Sequence, residues 1–129
     1  MERGIRLRRE WEVRRARGRG RAFADGPLVA RVLANGTEPP ANRYTVVAGK
    51  KVGGSVQRNR LKRLVREALR HLHPTLAPGH DVVVVVRGTV AEMPGYDAAR
   101  APLERILRRA ALLRPAAVPV DRPTAPDRP

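Results

Sequence analysis

Between Ser55 and Leu72 the apolar residues Leu61, Leu64, Val65, Ala68, Leu69 and Leu72 recur in steps of three and four, and charged or polar residues fill most of the gaps. At about 100° of rotation per residue, that spacing predicts an α-helix with one apolar stripe. Elsewhere the period changes. Val82 to Val86 is five valines in succession, too short and too β-branched for a helix, which predicts a strand buried on both faces. Arg43 to Ala48 (RYTVVA) and Leu28 to Leu33 read as two more strands, the second closed by Asn35-Gly36 and the Pro39-Pro40 loop. A short amphipathic helix is expected around Arg9 to Arg17, with Ile5, Leu7, Trp11, Val13 and Ala16 as a loose stripe. A last helix is expected over Asp97 to Arg114, with Leu103, Ile106, Leu107, Ala110 and Leu113 inward, where Pro102 implies a kink or a start nearer Ala101.

Breakers separate these elements. Gly18, Gly20 and Pro27 interrupt GRGRAFADGP, Pro74 and Pro78-Gly79 end the central helix, and Met93-Pro94-Gly95 precedes the last one. From Pro115 onward five of fifteen residues are proline, which predicts a disordered tail over 115–129 after a single domain spanning 1–114. The order is helix, strand, strand, helix, strand, helix, with room for a further strand hidden in residues 21 to 48. The expected class is therefore α+β, an α/β sandwich in which a small central sheet of about four strands is covered by helices.

Composition adds a partner. Lys and Arg outnumber Asp and Glu by 27 to 12, a formal charge of +15, which points to a polyanion: nucleic acid first, an anionic membrane surface second. Cysteine is absent, so neither a disulfide framework nor a zinc finger is available. His71, His73 and His80 straddle a helix end and a turn without a carboxylate cluster, and read as structural or exposed. No apolar run reaches the roughly 18 residues of a membrane span, and the first twenty residues lack a signal peptide's apolar core, so a cytoplasmic location is expected.

The charge is concentrated. In GKKVGGSVQRNRLKR, Gly49 to Arg63, two lysines and a glycine pair precede a basic run, and from Lys50 to Arg70 eight bases face one acid, Glu67. On the helical projection Asn59, Arg60, Lys62, Arg63, Arg66 and Arg70 lie opposite the apolar stripe, with Arg58 beside the seam. A merely solvated helix gains by mixing signs at four-residue spacing, whereas like charges on adjacent turns repel. One face suits the core and the other a polyanion. Ser55 is the expected N-cap. Gly53-Gly54 either admits a phosphate close to the backbone or simply turns the chain. GKKVGG is neither the phosphate-binding loop G-x-x-x-x-G-K-[ST] nor the dinucleotide motif G-x-G-x-x-G.

Side-chain catalysis finds little footing. The carboxylates are dispersed, Glu67 and Glu104 read as charge partners, and no Ser/His/Asp set has local support. The four aromatics, Trp11, Phe23, Tyr44 and Tyr96, read mostly as core. Charge alone leaves RNA and DNA open, and with them a non-enzymatic basic ribosomal or DNA-binding protein.

Lys50 to Glu67, K-K-V-G-x-x-V-x-R-N-R-x-K-R-x-x-R-E, resembles without gaps the signature of the bacterial ribonuclease P protein subunit. A looser likeness runs from about Arg6 to Leu113. The resemblance implies the element order α-β-β-β-α-β-α with an uncommon left-handed β-α-β crossover. It also implies a protein that binds a catalytic RNA and the 5′ leader of precursor tRNA, assisting endonucleolytic removal of that leader. Magnesium would then act through the RNA, with no cofactor bound by the protein alone and neither a membrane nor a small-molecule substrate involved. Carried over by position, the RNA-facing group is Lys50, Lys51, Arg58, Asn59, Arg60, Lys62, Arg63 and Arg66. Two departures stand out. Gly54-Ser55 replaces the family's common Asn-Ala, and the leader-binding cleft between the first helix and the sheet, usually lined by aromatics, has Val13, Arg17 and Arg31 here.

Overall fold

The structure is a computed structural model that describes residues 6, 7 and 9 to 113. The expected tail at 115–129 and Ile5 lie outside these. Seven main elements follow in the order α1 (Glu10–Arg19), β1 (Arg21–Asp25), β2 (Leu28–Ala34), β3 (Arg43–Ala48), α2 (Ser55–Leu72), β4 (His80–Val86) and α3 (Tyr96–Arg109). The strands form one mixed sheet, β1-β2-β4-β3, in which β2 runs antiparallel to both neighbours and β3 parallel to β4. Element order and class match those expected from the sequence.

Two apolar layers explain the central valines. Val82, Val84 and Val86 join Val65, Ala68 and Leu69 of α2 and Leu103, Ile106 and Leu107 of α3 in one core. Val83, on the opposite face of the strand, joins Ala16 and Leu7 in a second, with Val13, Leu33, Val47 and Val85 packed against it. β4 thus lies between two strands and between two helical layers, as its unbroken valines demand. Each fully buried valine adds about 1.5–3 kcal/mol of apolar burial.

Hydrogen-bond parity determines the hand of the β3-α2-β4 crossover. The Arg87 amide donates to Pro27 O and the Asn35 amide to Gly79 O, both at 2.9 Å, so odd-numbered residues of β4 address β2 and even-numbered ones address β3. The even-numbered valines are those that face α2. For L-residues in an upward strand, a side chain pointing at the viewer places that residue's N–H and C=O on the right. Seen from α2, β3 therefore lies to the right of β4, and the chain passes from right to left with the helix in front. The connection is left-handed, against the roughly 98% right-handed norm.

One local expectation is filled in and two are corrected. The strand hidden in residues 21 to 48 is β1, inside the stretch that its flanking glycines and proline had marked only as a break. It alternates small outward alanines with Phe23, which packs against the core beneath the Arg21 guanidinium, 5.2 Å from its ring centroid. In α1 the buried positions are Glu12 and Ala16, whereas Trp11 is 49% exposed, because an ion pair at Glu12 joins the apolar contacts of Ala16 and Val13 in seating this helix. α3 starts at Tyr96, keeps Pro102 inside it and stops at Arg109, where Ala111 turns to φ 62° and the Leu112 and Leu113 amides return to Leu107 O.

The ion pairing is buried. Asp81, fully buried in the central strand, accepts from Arg43 Nε (2.9 Å), Arg43 Nη2 (3.0 Å) and Asn35 Nδ2 (2.9 Å), with Arg15 Nη2 3.6 Å away. Arg43 also donates to Glu12 at 2.8 Å. Burial alone would lower the Arg43 pKa, but hydrogen bonds and charge from Asp81 and Glu12 hold it above its ordinary value. This network ties α1 to the N-terminal ends of β3 and β4. At the other end of α1 only glycine fits at position 20, since a Cβ there would lie 2.4 Å from Ala16 O.

Candidate nucleic-acid interface

The basic segment leaves the sheet at Gly49 and forms one 3₁₀ turn, Lys50–Val52, whose buried Val52 anchors it while Lys50 and Lys51 stay exposed. Gly53 then takes φ 139°, a conformation side chains disfavour, and a Cβ there would meet Gln57 Cβ at 2.9 Å. The N-cap of α2 is Gly54, not Ser55. Gly54 O accepts from the Arg58 amide at 2.9 Å, and Ser55 Oγ is 3.4 Å from Arg58 Nη2 as the acceptor of a weak hydrogen bond. Ser55 sits one residue too far along to cap, because the glycine pair supplies the extended geometry the cap position needs.

From that start, helical rotation sorts the predicted side chains. Leu61, Val65, Ala68, Leu69 and Leu72 are buried, with Leu64 at the margin. Asn59, Arg60 and Arg63 are exposed, while Arg58, Lys62 and Arg66 are partly covered. Arg60 donates to Pro94 O at 2.9 Å, so its guanidinium is held against the loop that enters α3. Among the described residues, none of the seven predicted cations, Lys50, Lys51, Arg58, Arg60, Lys62, Arg63 and Arg66, pairs with a carboxylate. Glu67 bonds Arg70 at 2.6 Å, one turn beyond them. That hydrogen bond, together with the Arg70 and His71 charges, holds the Glu67 carboxyl below its ordinary range.

A cation missed by the sequence pattern joins this face. The Leu7 amide donates to Tyr44 O at 2.7 Å, and Arg6 bridges Tyr44 in parallel, extending the sheet beyond β3. Leu7 points into the α1 layer, so Arg6, its neighbour in an extended segment, points to the α2 side. There it confronts Arg66, whose pKa is lowered first by burial and then by the charge of Arg6. Among the described residues neither guanidinium pairs with a carboxylate, an arrangement that favours an anion. Only the extension of the sheet reveals Arg6, because nothing in the sequence marks an isolated residue as paired with β3.

The three cleft candidates fall on the other face. Val13 packs beside Val47 and Val85, Arg17 is exposed four residues further along α1, and Arg31 on β2 pairs with Val83, its Nη1 3.5 Å from Gly20 O. The structure thus brings Val13, Arg17 and Arg31 to one side of the sheet. No aromatic ring joins them. Phe23, Tyr44 and Tyr96 pack on or against the α2–α3 side, and Trp11 occupies the opposite flank of α1, under the Arg15 guanidinium at 5.1 Å.

The histidines near the helix end take structural roles. His73 Nδ1 lies 2.6 Å from Tyr44 Oη, and His71 Nδ1 lies 2.7 Å from Tyr96 Oη. Burial pushes the Tyr44 pKa up to about 12. Glu104 meets Arg100 and Arg108 at 3.4 and 3.3 Å, a charge partner as expected.

A family model described as Ribonuclease P matches residues 1–111. The chain belongs to the ribonuclease P protein family. It is 38% identical over 117 residues to the ribonuclease P protein component of Chloroflexus aurantiacus, covering 88% of this chain and 82% of that one. To the corresponding protein of Roseiflexus castenholzii it is 34% identical over 113 residues, covering 88% and 91%. The solved RNase P protein from Thermotoga maritima superposes with a TM-score of 0.68 at 29% identity, over 84% of this chain and 97% of that one. Membership of this family selects the ribonucleoprotein reading over the ribosomal or DNA-binding alternative that charge had left open, and it makes ribonuclease P RNA the partner. No helix among the described residues is long and apolar enough to cross a membrane.

Proposed function

We propose that this protein binds the catalytic RNA of ribonuclease P through α2 and holds the 5′ leader of precursor tRNA against the α1 face of the sheet, assisting removal of the leader in the cytoplasm. One observation carries the reading: seven cations between Lys50 and Arg66, in a chain of this family, without a carboxylate partner among the described residues. Such an array repels itself in the free protein. It is relieved when its cations meet RNA phosphates and displace the counterions condensed there, which lowers the RNA's own repulsion at the same time.

In this reading the protein does no bond-breaking. Magnesium held by the RNA supplies the hydrolytic chemistry, and the protein binds no cofactor of its own. Its contribution is position and charge: α2 screens RNA phosphates that would otherwise oppose folding, and Arg17 and Arg31 offer guanidiniums to a leader lying over Val13, Val47 and Val85. Arginine also gives planar stacking surfaces that stand in for the missing aromatic rings. The test is reconstitution. Added to ribonuclease P RNA and precursor tRNA at low magnesium, the protein is expected to accelerate cleavage at the 5′ end of the tRNA; cleavage unchanged by the protein would overturn the proposal.

A further inference from the structure

Val56 is the most exposed large apolar side chain among the described residues, 78% accessible, and it stands in the middle of the cationic face of α2. With Arg60, Arg63 and Leu64, at helical spacings of four, seven and eight, it lines a groove of about 240 Å³. The groove is smaller than the roughly 300–1,000 Å³ of sites that enclose whole organic ligands. Its two guanidiniums differ in freedom: Arg60 is fixed by its 2.9 Å hydrogen bond to Pro94 O, whereas Arg63 is exposed.

A surface that served phosphates alone would gain nothing from a valine at its centre, since an apolar side chain there displaces a cation and exposes methyl groups to water. Beside a fixed, planar guanidinium it makes sense. Arginine planes and apolar side chains together are what an unstacked nucleobase meets in RNA recognition, the ring face against one and the ring edge bonded by the other. The geometry points to a nucleobase subsite: the groove of Val56, Arg60, Arg63 and Leu64 receives one unpaired base of the partner RNA. The base rests on Val56 and Leu64, its edge faces the anchored Arg60, and Arg63 takes the adjoining phosphate. The surrounding charge selects RNA as the occupant over a peptide. The inference rests on the reading of α2 as the RNA interface and adds to it a contact that carries no charge.

The experiment compares full-length wild type, Val56→Ala and the double variant Arg58→Ala/Arg60→Ala for binding to ribonuclease P RNA across a potassium chloride series. Val56→Ala is expected to weaken binding about fivefold through lost apolar contact, leaving the slope of log affinity against log salt unchanged and the circular dichroism spectrum native. Wild-type affinity for Val56→Ala, with the double variant weakened, overturns the subsite and spares the interface. A shallower slope for Val56→Ala also overturns it, because the lost contacts would then be to phosphate. If the double variant too binds like wild type, the interface itself is misassigned.

Discussion

Asp81 and Arg43 form a two-point pair across the parallel strands β3 and β4, with Nε–Oδ1 and Nη2–Oδ2 distances of 2.9 and 3.0 Å and the carboxylate fully buried. Removing one member of a buried pair strands the other charge. Asp81→Ala is expected to destabilise the fold by about 3–5 kcal/mol in urea unfolding, and a loss below about 1 kcal/mol would show that the network does not organise this end of the sheet. The variant also takes away the carboxylate that Arg15 of α1 faces at 3.6 Å, while the Arg43–Glu12 bond still ties that helix to β3.

The N-terminal turn of α2 supplies the salt-dependence test. Arg58→Ala with Arg60→Ala should weaken RNA binding and flatten the salt slope by about one for each cation that pairs with a phosphate. Filter binding over a range of potassium chloride reads both. An unaltered slope would assign these arginines to solvent.

Arg6 and Arg66 predict opposite signs for stability and affinity. In the free protein burial first and then the Arg6 charge disfavour the charge of Arg66, so Arg6→Gln should leave thermal stability unchanged or raise it by a few tenths of a kcal/mol. If the pair seats a phosphate of the partner RNA, the same substitution should lower RNA affinity. A variant that loses stability instead would show that Arg6 is held by something other than an anion-seeking arrangement.

Asp25 gives a pH dependence. Hydrogen bonds from Arg105 Nε and Nη2 at 2.9 and 2.8 Å lower its pKa from the ordinary 3.8; burial opposes, and the Arg105 and Arg109 charges assist. A carboxyl lowered in the folded state stabilises fully above its unfolded value and loses that contribution as pH falls through the folded one. Asp25→Asn should therefore cost up to about 1 kcal/mol at pH 7. The difference from wild type should close as the pH is taken below 3.8, as read by unfolding midpoints across an acid series.

Periodicity made most of the fold legible, because α2, β3, β4 and α3 each bury a long regular stripe. It failed where something other than apolar spacing decides. β1 is an edge strand of five residues between glycines, too short and too small in its side chains to announce itself. α1 is seated partly by Glu12, Arg15 and Arg43, residues that a hydropathy reading places in solvent. The cationic face was legible because a helix fixes which side chains share a side, whereas Arg6 and Val56 were not. Arg6 reaches that face through a bridge between segments far apart in sequence, and Val56 scores as an apolar residue that ought to be buried.

The left-handed connection between β3 and β4 has a consequence for how much RNA one small protein can engage. Had the chain crossed with the usual hand between the same two strands, α2 would have settled on the side of the sheet that α1 occupies and roofed over Val47 and Val85. The reversed hand sends α2 to the back of the sheet while its first residues still emerge at Gly49, at the end of β3. On the proposed reading one polynucleotide then runs across the front while another grips the outer side of α2, with the sheet and that one helix between them.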